Sequence, residues 1–108
     1  MPSYRYRAEI VRWVDGDTVD VVVDLGFKIQ TKQRLRLFGV NTPERGKPGF
    51  REATEYCEGR APQGSTVEVS TYKTGKFGRW LADVFVDGDE DSVNKGLLET
   101  GHAVEYLP

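Results

Sequence analysis

The chain has 108 residues, enough for one hydrophobic core and too few for two, so a single domain over 1–108 is expected. Hydrophobic residues at 38% and charged residues at 30% describe a globular chain rather than a disordered one, and apolar runs of only a few residues exclude a membrane-spanning helix. The net charge of −2 hides a split: Lys28 to Arg79 holds 11 basic and 5 acidic residues, the remainder 4 basic and 12 acidic, a distribution that can set a basic face on an acidic body and suit a polyanion.

The opening MPSYRYRAEI has no apolar h-region, so no secretory signal peptide is visible; a cytoplasmic location is expected, with export by another route left open. From this start, Tyr4, Tyr6, Ala8 and Ile10 alternate with Arg5, Arg7 and Glu9, which predicts a strand. VDGDT follows, with Asp15-Gly16 as a turn signal because glycine accepts positive φ. The triplet recurs at Asp87-Gly88-Asp89, so by itself it decides nothing. Val19, Val21 and Val23 then form the buried face of a second strand, a turn falls at Leu25-Gly26, and Leu35 and Leu37 alternate with Arg34 and Arg36 in a third.

Phe50, Ala53 and Cys57 recur at helical spacing, with Gly59 as the expected stop. Val67, Val69 and Thr71 mark a fourth strand, and Trp80, Ala82, Val84 and Val86 a fifth. Ser92 caps a second helix carrying Val93, Gly96, Leu97 and Thr100, ended by Gly101. Three strands, a helix, two strands and a helix suit an α+β chain built on a small five-stranded Greek-key barrel of the OB type, with a rolled sheet and flanking helices as the competing arrangement. Cys57 and His102 are each the only residue of their kind, which rules out an intrachain disulfide and a zinc cluster; Cys57 reads as a small buried hydrophobe and His102 as a solvated or core side chain.

Three stretches in order carry the chemistry: VDGDTV, RLRLFGVNTPE over residues 34–44, and KFGR over residues 76–79. Together they closely resemble the staphylococcal nuclease (thermonuclease) family, from about Val11 to Gly101. That resemblance implies an OB-fold nuclease that cleaves DNA or RNA with little sequence preference, uses calcium and leaves 3′-phosphate ends. It implies Asp17 as a direct calcium ligand, Asn41 and the Thr42 carbonyl beside it, and Asp15 behind it, although Asp15 reads equally as part of the turn. It makes Glu44 the general base that activates water, and Arg36 and Arg79 the guanidiniums on the phosphate. Lys76, Phe77 and Tyr106 are candidates for contacting the substrate, with core packing an equal reading for Tyr106. The expected partner is DNA or RNA, preferably single-stranded, with no membrane involved and the chain acting as a monomer.

The residue types suit the reaction independently of the resemblance. A hard cation on oxygen ligands neutralises a phosphate. Paired guanidiniums stabilise the equatorial oxygens of the transition state. Thr42 before Pro43 is held extended and so sets the start of Glu44's loop. Three departures from the family pattern stand out: Asn41 where aspartate is usual, Phe77 where tyrosine is frequent, and an end at Pro108 before the last helix of longer members. Asn41 brings no charge and predicts weaker metal binding. It keeps open a catalytically weak or inactive nucleic-acid-binding module, and a protein-interaction barrel is a further alternative. DGDED at residues 87–91 lacks the glycine and glutamate of an EF-hand at Ser92 and Leu98, and reads as a turn into the last helix.

Overall fold

The computed structural model describes residues 4–74 and 79–106. Alternating burial shapes β1 (Tyr4–Asp15), β2 (Thr18–Asp24) and β3 (Gln30–Leu37). Val19, Val21 and Val23 point inward on β2 and meet Ala8 and Ile10 of β1 and Leu35 and Leu37 of β3, all under 5% exposed. With β5 (Thr66–Thr74) and β6 (Trp80–Val86) these strands close into a barrel in the order β1-β2-β3-β6-β5. The β3–β6 pairing is parallel and the rest are antiparallel, giving the mixed five-stranded OB-type barrel. Val67, Val69, Ala82 and Val84 complete the interior, and burying each of the larger aliphatic side chains contributes roughly 1.5–3 kcal/mol.

Helix α1 (Phe50–Arg60) covers one end of the barrel with its Ala53, Cys57 and Ala61 face. It does not stop at Gly59 as the sequence suggests. The buried Ala61 extends the i, i+4 apolar row, its amide donates to Cys57 O at 2.8 Å, and its carbonyl accepts the Trp13 indole N–H at 2.9 Å. These tertiary contacts outweigh the low helix propensity of glycine, and the turn comes only at Pro62, whose carbonyl accepts Ser65 N–H at 3.0 Å. Helix α2 (Val93–Glu99) begins as expected, with Ser92 Oγ accepting the Lys95 amide at 3.0 Å, and Gly101 follows it at φ 79°.

The first triplet corrects the turn argument. Gly88 does have positive φ, 87°, in an exposed turn into α2, whereas Gly16 does not. Gly16 is required for space: a Cβ there would lie 2.8 Å from Ala53 Cβ and 3.0 Å from Thr42 Cγ2. Trp80 also departs from the expected inward face and is 42% exposed. The β5–β6 register slips between Thr71 and Thr74, which turns the start of β6 out of the barrel. Two short strands escape any pattern argument: β4 (Val40–Asn41) pairs with β7 (Val104–Glu105) in a separate two-stranded sheet. Among the described residues no helix is long and apolar enough to cross a membrane.

Candidate active site

The β1–β2 turn, the end of β3 and β4 converge at the end of the barrel that α1 covers. Asp17 lies at the centre and is 8% exposed. Its Oδ2 accepts the Thr42 backbone N–H at 3.0 Å and pairs with Arg36 Nη1 at 3.0 Å; its Oδ1 accepts the Thr18 hydroxyl at 3.2 Å. The Asp17 backbone carbonyl accepts Leu37 N–H at 2.8 Å, so the same residue that carries the carboxylate also stitches the turn to β3. Arg36 reaches this point because Leu35 and Leu37 face the core and leave it on the outer wall opposite Thr18. Its Nη2 donates to Asn41 Oδ1 at 3.3 Å, and its Cζ lies 5.9 Å from the Tyr106 ring centre.

Burial alone would raise the pKa of Asp17, but the hydrogen bond with Asp15, the Thr42 amide and the Arg36 charge outweigh it and hold the carboxyl below its usual range. Asp15 goes the other way. Burial first, then its hydrogen bond with Asp17 and that residue's charge, push it up to about 6, although its Oδ1 accepts the Asp17 amide at 3.0 Å. Asp15 is therefore both a turn residue and the second carboxyl of a close pair. Beneath them, the Cys57 thiol donates to Gly16 O at 3.4 Å and is raised by burial and then by both aspartates. It packs as the expected buried hydrophobe and is no nucleophile.

The structure thus joins Asp15, Asp17, Arg36, Asn41 and Thr42 in one network, with Tyr106 at its edge. Glu44 follows Thr42-Pro43 on the exposed rim, where its carbonyl accepts Lys47 N–H at 2.9 Å. Arg79 is half-buried at the entry to β6, one residue before the Leu35–Trp80 pair, so the parallel register sets its backbone at the Arg34 end of the β3 pairing, while Arg36 pairs with Leu81. Lys76 and Phe77 lie outside the described residues.

The oxygen atoms gathered here suit a hard divalent cation by type: the Asp17 and Asp15 carboxylates, the Asn41 amide oxygen and the Thr42 carbonyl. Two observations favour that fit. Burial first and then the neighbouring Asp17 raise Asp15 to about 6, and Thr42 Oγ1 is buried without a hydrogen-bond partner. Asn41 is turned toward Arg36 and supplies no charge, and among the described residues no three His, Cys, Asp or Glu side chains form a cation cluster.

Three contributors escaped sequence reasoning. Gly16 matters because α1 and Thr42 press against it. The β4–β7 sheet, tied further by Tyr106 N–H to Gly39 O at 2.9 Å, delivers Tyr106 to Arg36. Asn94, 3% exposed, accepts Val84 N–H at 3.1 Å and donates to Phe38 O at 2.9 Å and Ala82 O at 3.0 Å, fixing the strand end that follows Arg36. The only sequence signal for Asn94 is a polar residue on the apolar side of α2.

A family model described as staphylococcal nuclease homologue matches residues 34–107. The match takes in Arg36, Asn41, Thr42, Glu44 and Arg79, while Asp15 and Asp17 precede it. The chain is 31% identical over 107 residues to Protein ParB of Escherichia coli, covering 93% of this chain and 57% of that protein. It is 29% identical over 100 residues to an uncharacterized endonuclease of Escherichia coli O157:H7, covering 93% and 61%. It is also 30% identical over 102 residues to the thermonuclease of Staphylococcus hyicus, covering 88% and 56%. The chain therefore spans somewhat more than half the length of these relatives.

Proposed function

Because the chain belongs to the staphylococcal nuclease family, we propose that it is a calcium-dependent nuclease, hydrolysing phosphodiester bonds of DNA, RNA or both with low sequence specificity and leaving 3′-phosphate ends. One observation carries the reading: Arg36 Nη1 sits 3.0 Å from the Asp17 carboxylate that also accepts the Thr42 amide, an anion-binding guanidinium fixed beside a candidate cation ligand. Asp17, Asn41 and the Thr42 carbonyl would hold calcium, with Asp15 behind them. Bound there, the cation neutralises a phosphate oxygen and makes the phosphorus more electrophilic.

The chain's own residues do the rest. Arg36 turns Nη1 to Asp17, 3.0 Å from its Oδ2 and donating to its backbone carbonyl at 3.5 Å, and gives one Nη2–H to Asn41. Among the described residues this leaves Nε–H and one Nη2–H, the number a bidentate phosphate contact needs. Arg36 and Arg79 hold the charge that builds on the equatorial oxygens. Glu44, solvent-exposed on the rim, takes the proton of the attacking water. Lys76 contacts a neighbouring phosphate, and Phe77 and Tyr106 contact bases or sugars, with single strands preferred because their bases are free to stack.

A second reading is a non-cleaving nucleic-acid-binding barrel. It is favoured by Asn41, whose uncharged oxygen is engaged by Arg36. Incubation of the protein with denatured DNA and with RNA, in calcium and in chelator, beside Glu44→Gln, separates the two. Cleavage that needs calcium and collapses in Glu44→Gln supports the nuclease. Binding without cleavage by folded protein at millimolar calcium supports the module.

A further inference from the structure

The outer wall of β2–β3 carries a line of cations leading away from the site. Side chains two apart on a strand share a face and stand about 6.6 Å apart. Arg36, Arg34 and Lys32 are three successive outward positions on β3, opposite Thr18, Asp20 and Val22 of β2. Asp20 accepts from Arg34 Nε at 2.7 Å and from Arg12 Nε at 3.3 Å, so one carboxylate holds two exposed guanidiniums on the surface and leaves a positive excess.

Lys32, about 13 Å from Arg36 along the strand, stands beside a groove of about 240 Å³ that Val22 lines. Around Val22 the groove presents Arg7, Glu9, Asp24, Gln30 and Thr66. A groove that sets the aliphatic Val22 among a guanidinium, two carboxylates and an amide offers the donors and acceptors that base edges take, while the flanking Arg34 and Lys32 suit phosphates. The two acids, out of place on a purely phosphate-binding surface, are accounted for by a base. Beyond the groove the hairpin tip presents Phe27, 96% exposed and at φ 55°, an aromatic face with no role in the core.

We propose that this wall is an extended substrate subsite: a single-stranded polynucleotide held at Arg36 continues along β3, with phosphates on Arg34 and Lys32, a base in the Val22 groove and a further base stacked on Phe27. The subsite rests on the reading of the Arg36 cluster as a nucleic-acid site, and it makes the protein select single strands of about four or more nucleotides, within the ~4–16 nucleotides an OB barrel typically covers.

The test measures binding of fluorescently labelled two- and eight-nucleotide oligothymidylates in chelator, across salt, by anisotropy. Cleavage of the same oligonucleotides in calcium is followed alongside. The variants are Lys32→Glu, Phe27→Ala and, as a control away from this wall, Lys95→Glu. The subsite is supported if the eight-mer binds more tightly than the two-mer, Lys32→Glu weakens the eight-mer about fivefold or more and lowers its salt slope by roughly 0.7, and Phe27→Ala weakens it further while Lys95→Glu matches the parent. Equal affinity for the two lengths, or an eight-mer affinity untouched by Lys32→Glu, overturns it. The two proposals fail separately. Length-dependent binding without cleavage sinks the nuclease and leaves the subsite standing; calcium-dependent cleavage with no length dependence and no effect of Lys32→Glu does the reverse.

Discussion

Gly16→Ala should damage both fold and site. The added methyl would sit 2.8 Å from Ala53 Cβ, with Thr42 Cγ2 and Oγ1 both at 3.0 Å. Ordinary contact begins near 3.4 Å, so at least about 0.6 Å of movement is needed between the β1–β2 turn and α1. Neither partner yields freely: Ala53 is a backbone-fixed atom of a helix packed on the barrel, and the Thr42 amide is bonded to Asp17. Overpacking of this kind costs about 1–3 kcal/mol, and the rigid neighbours put this case near 2–3 kcal/mol. For a chain of this size that lowers Tm by roughly 10–20 °C.

Removing the opposing methyl tests the cause. Ala53→Gly alone should cost about 1 kcal/mol through helix propensity, and the Gly16→Ala/Ala53→Gly double variant should recover more than half of the Gly16→Ala loss, a favourable coupling of about 2 kcal/mol or more. Urea titrations of the four proteins give the cycle directly. Additive single effects, or a Gly16→Ala protein within about 0.5 kcal/mol of the parent, would refute the close-packing argument.

Other predictions concern charge and polar satisfaction. Arg36→Lys keeps the charge but cannot bridge Asp17 and Asn41 or grip a phosphate in two places; in steady-state assays kcat should fall about a hundredfold or more while the urea midpoint moves little. Asn94→Ala strips partners from the Val84 amide and from the Phe38 and Ala82 carbonyls and should cost about 2–4 kcal/mol in urea unfolding. Asp15 is raised in the fold to about 6, first by burial and then by Asp17. Its favourable contribution is therefore present below its unfolded value and lost as pH rises through about 6, and in chelator Asp15→Asn should be more stable than the parent by about 1–2 kcal/mol at pH 7.5, with no difference near pH 3.5. Asp20 has the opposite sign. The Arg34 hydrogen bond, against burial and with help from Arg12, lowers its pKa, so its stabilisation is present above the ordinary carboxylate range and lost as pH falls through the lowered value; Asp20→Asn should flatten the acid-side decline in stability seen by thermal melts below about pH 4.

The sequence by itself determined the five barrel strands and much of the candidate cluster. Period-two patterns place Val19, Val21, Val23, Leu35 and Leu37 inside, and the same periodicity forces Arg34 and Arg36 outside, because alternate side chains on a strand leave by opposite faces. Ser92 and Gly101 bracket α2 through capping chemistry that acts within a few residues. What the tertiary structure alone decided depends on atoms far apart in the chain. The same Asp-Gly-Asp triplet is an exposed positive-φ turn at residues 87–89 and a packed turn at residues 15–17, because only the second has Ala53 and Thr42 pressed against its glycine. Gly59 stays helical because Trp13 and the core hold Ala61. The two-residue strands β4 and β7 carry no pattern of their own, and their pairing across more than sixty residues is what sets Tyr106 beside Arg36. Short-range propensity and periodicity are properties of neighbouring residues and can be read from a string. Close approach, burial of a carboxyl pair and the meeting of a tail with a distant strand exist only once the barrel has closed.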